Sequence, residues 1–170
     1  QAGARRRVPR GRGRGGRSRV ATWNRREAWG ERMRSMALGV GAVLRAQHDL
    51  SGVSATQPNP TARGPVDEVL AAEPRAMVVD AIAYDEFLKL LRGATLAVTD
   101  SGGVQEEGPS LGVPVLVTRA VTERPAGIEA GDARIVGTGR DRTRTAVLEL
   151  LERPEVRRTM PAAGRSVSGD

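Results

Sequence analysis

Residues 95–124 read TLAVTDSGGVQEEGPSLGVPVLVTRAVTER, and this stretch narrows the possible folds more than any other. Its opening apolar run, residues 95–98, is too short for a typical helix and leads into the turn cluster Asp100-Ser101-Gly102-Gly103, which is the pattern of a buried strand ending in a turn. Residues 104–111 then read as a short helix, with Gly112 suited to its C-terminal end, and residues 113–118 as a second strand with Pro114 near its start. Two strands joined through a helix need a crossover, so they run parallel in one sheet.

That order has a chemical consequence. The first backbone N–H groups of a helix have no partner within it and sit at the positive end of its dipole, where an anion is stabilised. At this end the chain places Gly102 and Gly103, with no β-carbons to hold a phosphate off the backbone, and Ser101, which can cap the helix and donate its hydroxyl. Glu107, about one turn further on, has the wrong sign for a phosphate. It suits a ribose, because a carboxylate accepts from both sugar hydroxyls, each charge-assisted bond contributing about 1.5–3 kcal/mol. The same residues also read as an ordinary turn followed by a solvated helix face at Glu106 and Glu107, since a glycine pair alone is a weak signal.

The rest of the chain alternates in the same way. Residues 19–23 are a strand candidate, and residues 32–47 place Met33, Met36, Ala37, Val40, Val43 and Leu44 at the spacing of an amphipathic helix. Gly39 and Gly41 each cost that helix about 1 kcal/mol, so tertiary packing has to hold it. A weak strand at 51–56 precedes Pro58-Asn59-Pro60, expected to break the chain, and a helix at 66–72. Then come a strand at 76–79, a helix at 84–91 that buries Phe87, Leu88 and Leu91, and, beyond the central stretch, a strand at 134–136 and helices at 142–152 and 155–159. The fold class is α/β: a Rossmann-like parallel sheet with helices on both faces. Ligands of such sheets bind at the carboxyl ends of the strands, where Asn24, Gln57, Ala81-Ile82, Ser101 and Arg124 all fall.

Composition sets the outer limits. The 170 residues suffice for one domain with a core and are too few for two full α/β domains. A net charge of +7 points to nucleic acid until it is divided, because residues 1–19 hold eight arginines and no acid and the remainder is close to neutral. That Gly- and Arg-rich stretch buries too little to offset the entropy of ordering, so residues 1–19 are expected to be a disordered tail and residues 20–170 the domain. The tail reads either as an RNA- or phosphate-binding arm or as the product of a start-site or frame error; nucleic acid is not the expected partner. The sequence has no cysteine, so disulfides and thiolate metal sites are excluded. No apolar stretch reaches the roughly 18 residues that span a bilayer, and no signal-peptide core is present, so a cytoplasmic protein without membrane contact is expected.

Three blocks carry a resemblance. The first is T-D-S-G-G-V-Q-E-E from Thr99, with Pro109-Ser110-Leu111-Gly112, Pro114-Val115-Leu116-Val117 and Thr122-Glu123-Arg124-Pro125 behind it; the others are TWNRREAWG at residues 22–30 and Gln57-Pro58-Asn59-Pro60. Together they resemble the C-terminal half of the non-hydrolysing UDP-N-acetylglucosamine 2-epimerases, over residues 20–170. The resemblance implies the second lobe of a two-lobed enzyme of GT-B type, with the first lobe absent from this sequence. It implies conversion of UDP-N-acetylglucosamine to UDP-N-acetylmannosamine by elimination and re-addition of UDP, with no cofactor and no metal. Ser101, Gly102, Gly103 and Arg124 match the positions that hold the pyrophosphate, Glu107 the ribose carboxylate and Phe87 the aromatic near uracil, although a lone Phe on a helix also reads as core. Arg25, with Arg26 and Glu27, falls in a segment implicated in activation by substrate, and homodimers are common among relatives.

The chain departs from the pattern at its binding loops. Asn24 stands where the family has a histidine beside the phosphates and can donate a hydrogen bond without holding a positive charge. Gln57 replaces the histidine of H-x-N-P, Ala28 the asparagine of R-R-E-N, and Ile82 a position that is glutamine in some relatives. His48, the only histidine, reads as a surface residue at the end of the first helix. The acids that move the C2 proton in this family belong to the first lobe, so no catalytic residue is assigned, and the chain alone is expected to bind UDP or a UDP-sugar without epimerising it. Two alternatives stand beside this reading: a glycosyltransferase-like lobe or non-catalytic UDP-sugar binder, and an RNA binder acting through the tail.

Overall fold

The structure, a computed structural model, describes residues 18–23, 30–55, 60–80, 82–119 and 133–160. Among them are six strands and six helices, which alternate from β1 to β5: β1 (Ser18–Trp23), α1 (Glu31–Ala46), β2 (Leu50–Ala55), α2 (Pro60–Leu70), β3 (Ala76–Val79), α3 (Tyr84–Arg92), β4 (Leu96–Thr99), α4 (Gly102–Ser110), β5 (Val115–Val117), β6 (Ala133–Ile135), α5 (Arg140–Glu152) and α6 (Pro154–Thr159). β1 takes in Ser18 and Arg19, ahead of the domain boundary expected at Val20. The strands form one sheet in the order β3-β2-β1-β4-β5-β6, every pair parallel. This is the doubly wound order, in which the chain runs outward from β1 to β3, returns to lay β4 on the other side of β1, and runs outward again.

Helices cover both faces. α1, α2 and α5 share one core with Leu50, Leu96, Val98 and Leu116 from the sheet and with Val136 just beyond β6. α3 and α4 cover the other face, over Ala97, Val115, Val117 and Ala133 at one end and Val53, Ala55 and Val79 at the other. The central strands β4 and β5 are buried along their whole length, which accounts for their unbroken apolar runs.

α1 buries the six apolar side chains that its spacing predicts, and Gly39 and Gly41 as well. A β-carbon on Gly39 would lie 2.9 Å from the Arg140 carbonyl and 3.0 Å from Thr143 Cβ, so a helix-weakening residue allows α1 and α5 to pack closely. Arg75 closes the other end of α1, donating to the Leu44 carbonyl and, at 2.7 Å, to that of Gln47. His48 is exposed just beyond.

Two expectations are corrected. Pro58-Asn59-Pro60 does not simply break the chain, because Pro60 opens α2, where its missing N–H is one that no helix pairs. In α3 the buried side chains are Phe87, Leu90 and Leu91, with Leu88 only partly covered. The helix bridges two clusters, Phe87 and Leu91 facing one and Leu90 the other.

Candidate functional site

Strand register lines up one edge of the sheet. Trp23 pairs with both Ala55 and Thr99, Thr99 with Val117, Val117 with Ile135 and Ala55 with Val79, so all six strands end at one level. At the centre of that edge β1 and β4 are neighbours while their following connections diverge, the crevice where sheets of this type bind ligands. β4 delivers the turn 99–101 and the N-terminus of α4 directly into it.

The turn is held from below. The Ser101 N–H donates to Thr99 Oγ1 at 2.9 Å, and Ser101 then adopts an extended backbone as the N-cap of α4. Its hydroxyl makes no capping hydrogen bond, contrary to one expected role, and the first turn of the helix carries no acid. Gly102 is buried and Gly103 exposed. Among the described residues, a β-carbon built on Gly103 would have Ser101 Oγ and Glu107 Oε1 at 4.0 Å and nothing nearer outside its chain neighbours and the helix backbone. Glu107 therefore lies on the same flank as the glycine turn, with its carboxylate beside the open backbone.

The C-terminal end of α4 fixes this geometry. Gly112, at φ +75°, places its N–H 2.9 Å from the Pro109 carbonyl and that of Val113 2.8 Å from the Gly108 carbonyl, a Schellman closure that turns the chain straight into β5. Gly108 lets the helix lie on the sheet, since a β-carbon there would be 2.3 Å from Val115 Cγ2.

Phe87, expected beside a base, is 4% exposed and belongs to the core under α3 and α4 with Ala97, Val104 and Val113. The ring presented beside Glu107 is that of Tyr84, which is 62% exposed and which sequence reasoning passed over. Its hydroxyl donates to Glu107 Oε1 at 2.9 Å, and its ring lies 6.4 Å from that of Phe87, tilted by 37°. The hydrogen bond to Glu107, then desolvation and the carboxylate charge, hold the Tyr84 phenol above its ordinary pKa. The signal available was the spacing of Tyr84 and Phe87 on one helical face; its partner on α4 could not be read locally. Ile82 is half-buried against both clusters on this face. Asn24, Arg25, Gln57 and Arg124 lie outside the described residues. Among the described residues, no group of three acidic or histidine side chains is placed to hold a metal, and no helix is long and apolar enough to cross a membrane.

A doubly wound parallel sheet with a glycine turn and a following carboxylate at its switch point defines a Rossmann-like lobe. Residues 4–166 match the family model described as UDP-N-acetylglucosamine 2-epimerase, and the chain belongs to that family. It is 38% identical over 133 residues to the UDP-N-acetylglucosamine 2-epimerase of Escherichia coli, a match covering 78% of this chain and 35% of that protein. Among solved structures it is similar to the UDP-GlcNAc 2-epimerase from Neisseria meningitidis bound to UDP-GlcNAc, with TM-score 0.81 and 29% identity over 89% of this chain and 43% of that one. It is also similar to the Staphylococcus aureus MnaA–UDP co-structure, with TM-score 0.82 and 31% identity over 86% and 40%. The chain spans well under half the length of these relatives.

Proposed function

We propose that this domain holds the UDP end of a UDP-sugar and serves as the nucleotide-binding half of a UDP-N-acetylglucosamine 2-epimerase. The observation that carries the reading is the approach of Ser101 Oγ and Glu107 Oε1 to one point above Gly103, at the N-terminus of α4 and beside the switch point of the sheet. The diphosphate takes the helix N-terminus, where unpaired N–H groups and the dipole favour negative charge and Gly103 lets it reach the backbone. The ribose takes Glu107. The relatives solved with UDP and with UDP-GlcNAc support the choice of nucleotide.

In this reaction the bond between the sugar and UDP breaks and re-forms, and negative charge builds on the departing diphosphate. Fixed amides aimed at that charge lower the barrier because they need no reorganisation as it develops. By the family motif, Arg124 would give the diphosphate a guanidinium and Asn24 a neutral donor, Arg25 falls in the segment the family associates with activation by substrate, and Phe87 would back the base from within the core. No group of this chain is assigned to the C2 proton, and neither metal nor cofactor is required. A cytoplasmic homodimer is the setting that goes with this reading.

Calorimetric titration with UDP tests it. Glu107→Ala and Arg124→Ala should each weaken binding by about tenfold or more, the loss of one charge-assisted contact. Unchanged constants in both variants would remove the assignment.

A further inference from the structure

We propose that Tyr84 is a positioning residue, whose phenol fixes the Glu107 carboxylate above the glycine turn and so makes the site selective for ribonucleotides over deoxyribonucleotides. The inference rests on the nucleotide reading of the site and adds a residue and a specificity to it.

Glu107 is half-buried on α4 and would otherwise be free to choose among rotamers, spreading its acceptor oxygens over several positions. The structure limits that choice from a different element. Tyr84 opens α3, and its hydroxyl reaches across to Glu107 Oε1 at 2.9 Å. That same oxygen stands 4.0 Å from the space over Gly103. The phenol can do this because its own ring is anchored. Phe87, one turn along the same helix and 4% exposed, stands 6.4 Å away at a 37° tilt, within the range of favourable aromatic contact.

One phenol leaves the carboxylate with most of its acceptor capacity, since an ionised carboxylate has about four lone-pair sites. A vicinal diol can use those that remain, and a carboxylate already oriented loses less entropy in receiving it. The gain depends on the ligand having sugar hydroxyls. A nucleotide without them has nothing to give Glu107, so the orientation supplied by Tyr84 does nothing for it. That dependence separates positioning from a general structural role, which would affect both kinds of nucleotide alike.

The chain contains one tyrosine, so the phenol can be followed directly. UDP and 2′,3′-dideoxy-UDP are titrated into the full chain, Tyr84→Phe and Glu107→Ala. Tyr84→Phe keeps the ring against Phe87 and removes only the hydroxyl. It should weaken UDP about fivefold to tenfold, leave dideoxy-UDP unchanged and so reduce the preference between them. An unchanged preference in Tyr84→Phe, with Glu107→Ala still impaired for UDP, overturns the inference and leaves the nucleotide site standing. Absence of UDP binding by the unaltered chain, or a Glu107→Ala variant that binds UDP equally well, instead overturns the underlying reading. In parallel, ultraviolet titration of the phenol should show ionisation at lower pH in Glu107→Ala than in the unaltered chain. Identical titrations would mean that the contact does not form in solution, and that too overturns the inference.

Discussion

At the N-terminal end of α4 a β-carbon on Gly103 would come no closer than 4.0 Å to Ser101 Oγ and Glu107 Oε1, whereas at the C-terminal end one on Gly108 would stand 2.3 Å from Val115 Cγ2. One helix thus uses glycine for two purposes. At Gly108 the missing side chain is replaced by protein, and the helix can lie close against β5. At Gly103 no described residue takes its place within 4 Å except Ser101 and Glu107 at the limit, and the backbone lies beside an oriented carboxylate. A glycine needed by the fold and one that leaves room for a ligand look alike in sequence and differ in what surrounds them.

Substitutions can separate the two. Gly108→Ala has the largest expected effect, because a methyl group overlapping a buried valine forces the helix off the sheet; a loss of about 2–3 kcal/mol in urea unfolding is expected. An unaltered midpoint would show that the close approach is not needed, and the contrast would fail. Gly103→Ala should spare stability or raise it by about 0.5 kcal/mol through helix propensity, while weakening UDP by about tenfold, near 1.4 kcal/mol. If UDP affinity holds in that variant, the open space at Gly103 is not where the diphosphate lies.

Gly39→Ala gives an intermediate case. The helix gains about 1 kcal/mol in propensity, and the clash with the Arg140 carbonyl and Thr143 costs about 1–3 kcal/mol, leaving a net loss of roughly 1 kcal/mol. A stabilised variant would mean that α1 and α5 can separate slightly without penalty. The smallest effect concerns pH. Because the folded protein holds the Tyr84 phenol above its ordinary 10.0, its hydrogen bond contributes fully below that pH and is lost as pH rises through the higher folded value. Unaltered protein should therefore lose a small increment of stability above pH 10.0 that Tyr84→Phe does not lose, and parallel curves would contradict it.

Periodicity made much of this legible. The buried face of α1 and the span of β3 follow from spacing alone, since an amphipathic helix and a short apolar run each leave a pattern that needs no partner to be read. The helix and strands around the glycine turn were also legible, to within a few residues at each end. What could not be read depends on neighbours distant in sequence. Pro60 looks like a breaker until the helix it starts is seen, and Leu88 and Leu90 exchange roles because two separate clusters meet on α3. Phe87 illustrates the limit at the site itself, since the sequence offered it both as core and as a base contact, and its surroundings make it core. Ser101 has the side chain of a helix cap, yet its N–H is taken by Thr99 and its hydroxyl does not cap.

The sequence by itself determined the α/β alternation, the phosphate-suited turn at 101–103, the carboxylate at 107 and the family wording around them. These are local: each rests on residue type and spacing within one or two turns of chain. Only the tertiary structure decided that β4 lies beside β1, which turns the glycine turn into the wall of a crevice, and that Tyr84 of α3 meets Glu107 of α4. Strand order and contacts between helices are settled by which crossovers bury the most apolar surface together, and no local pattern along the chain encodes that sum.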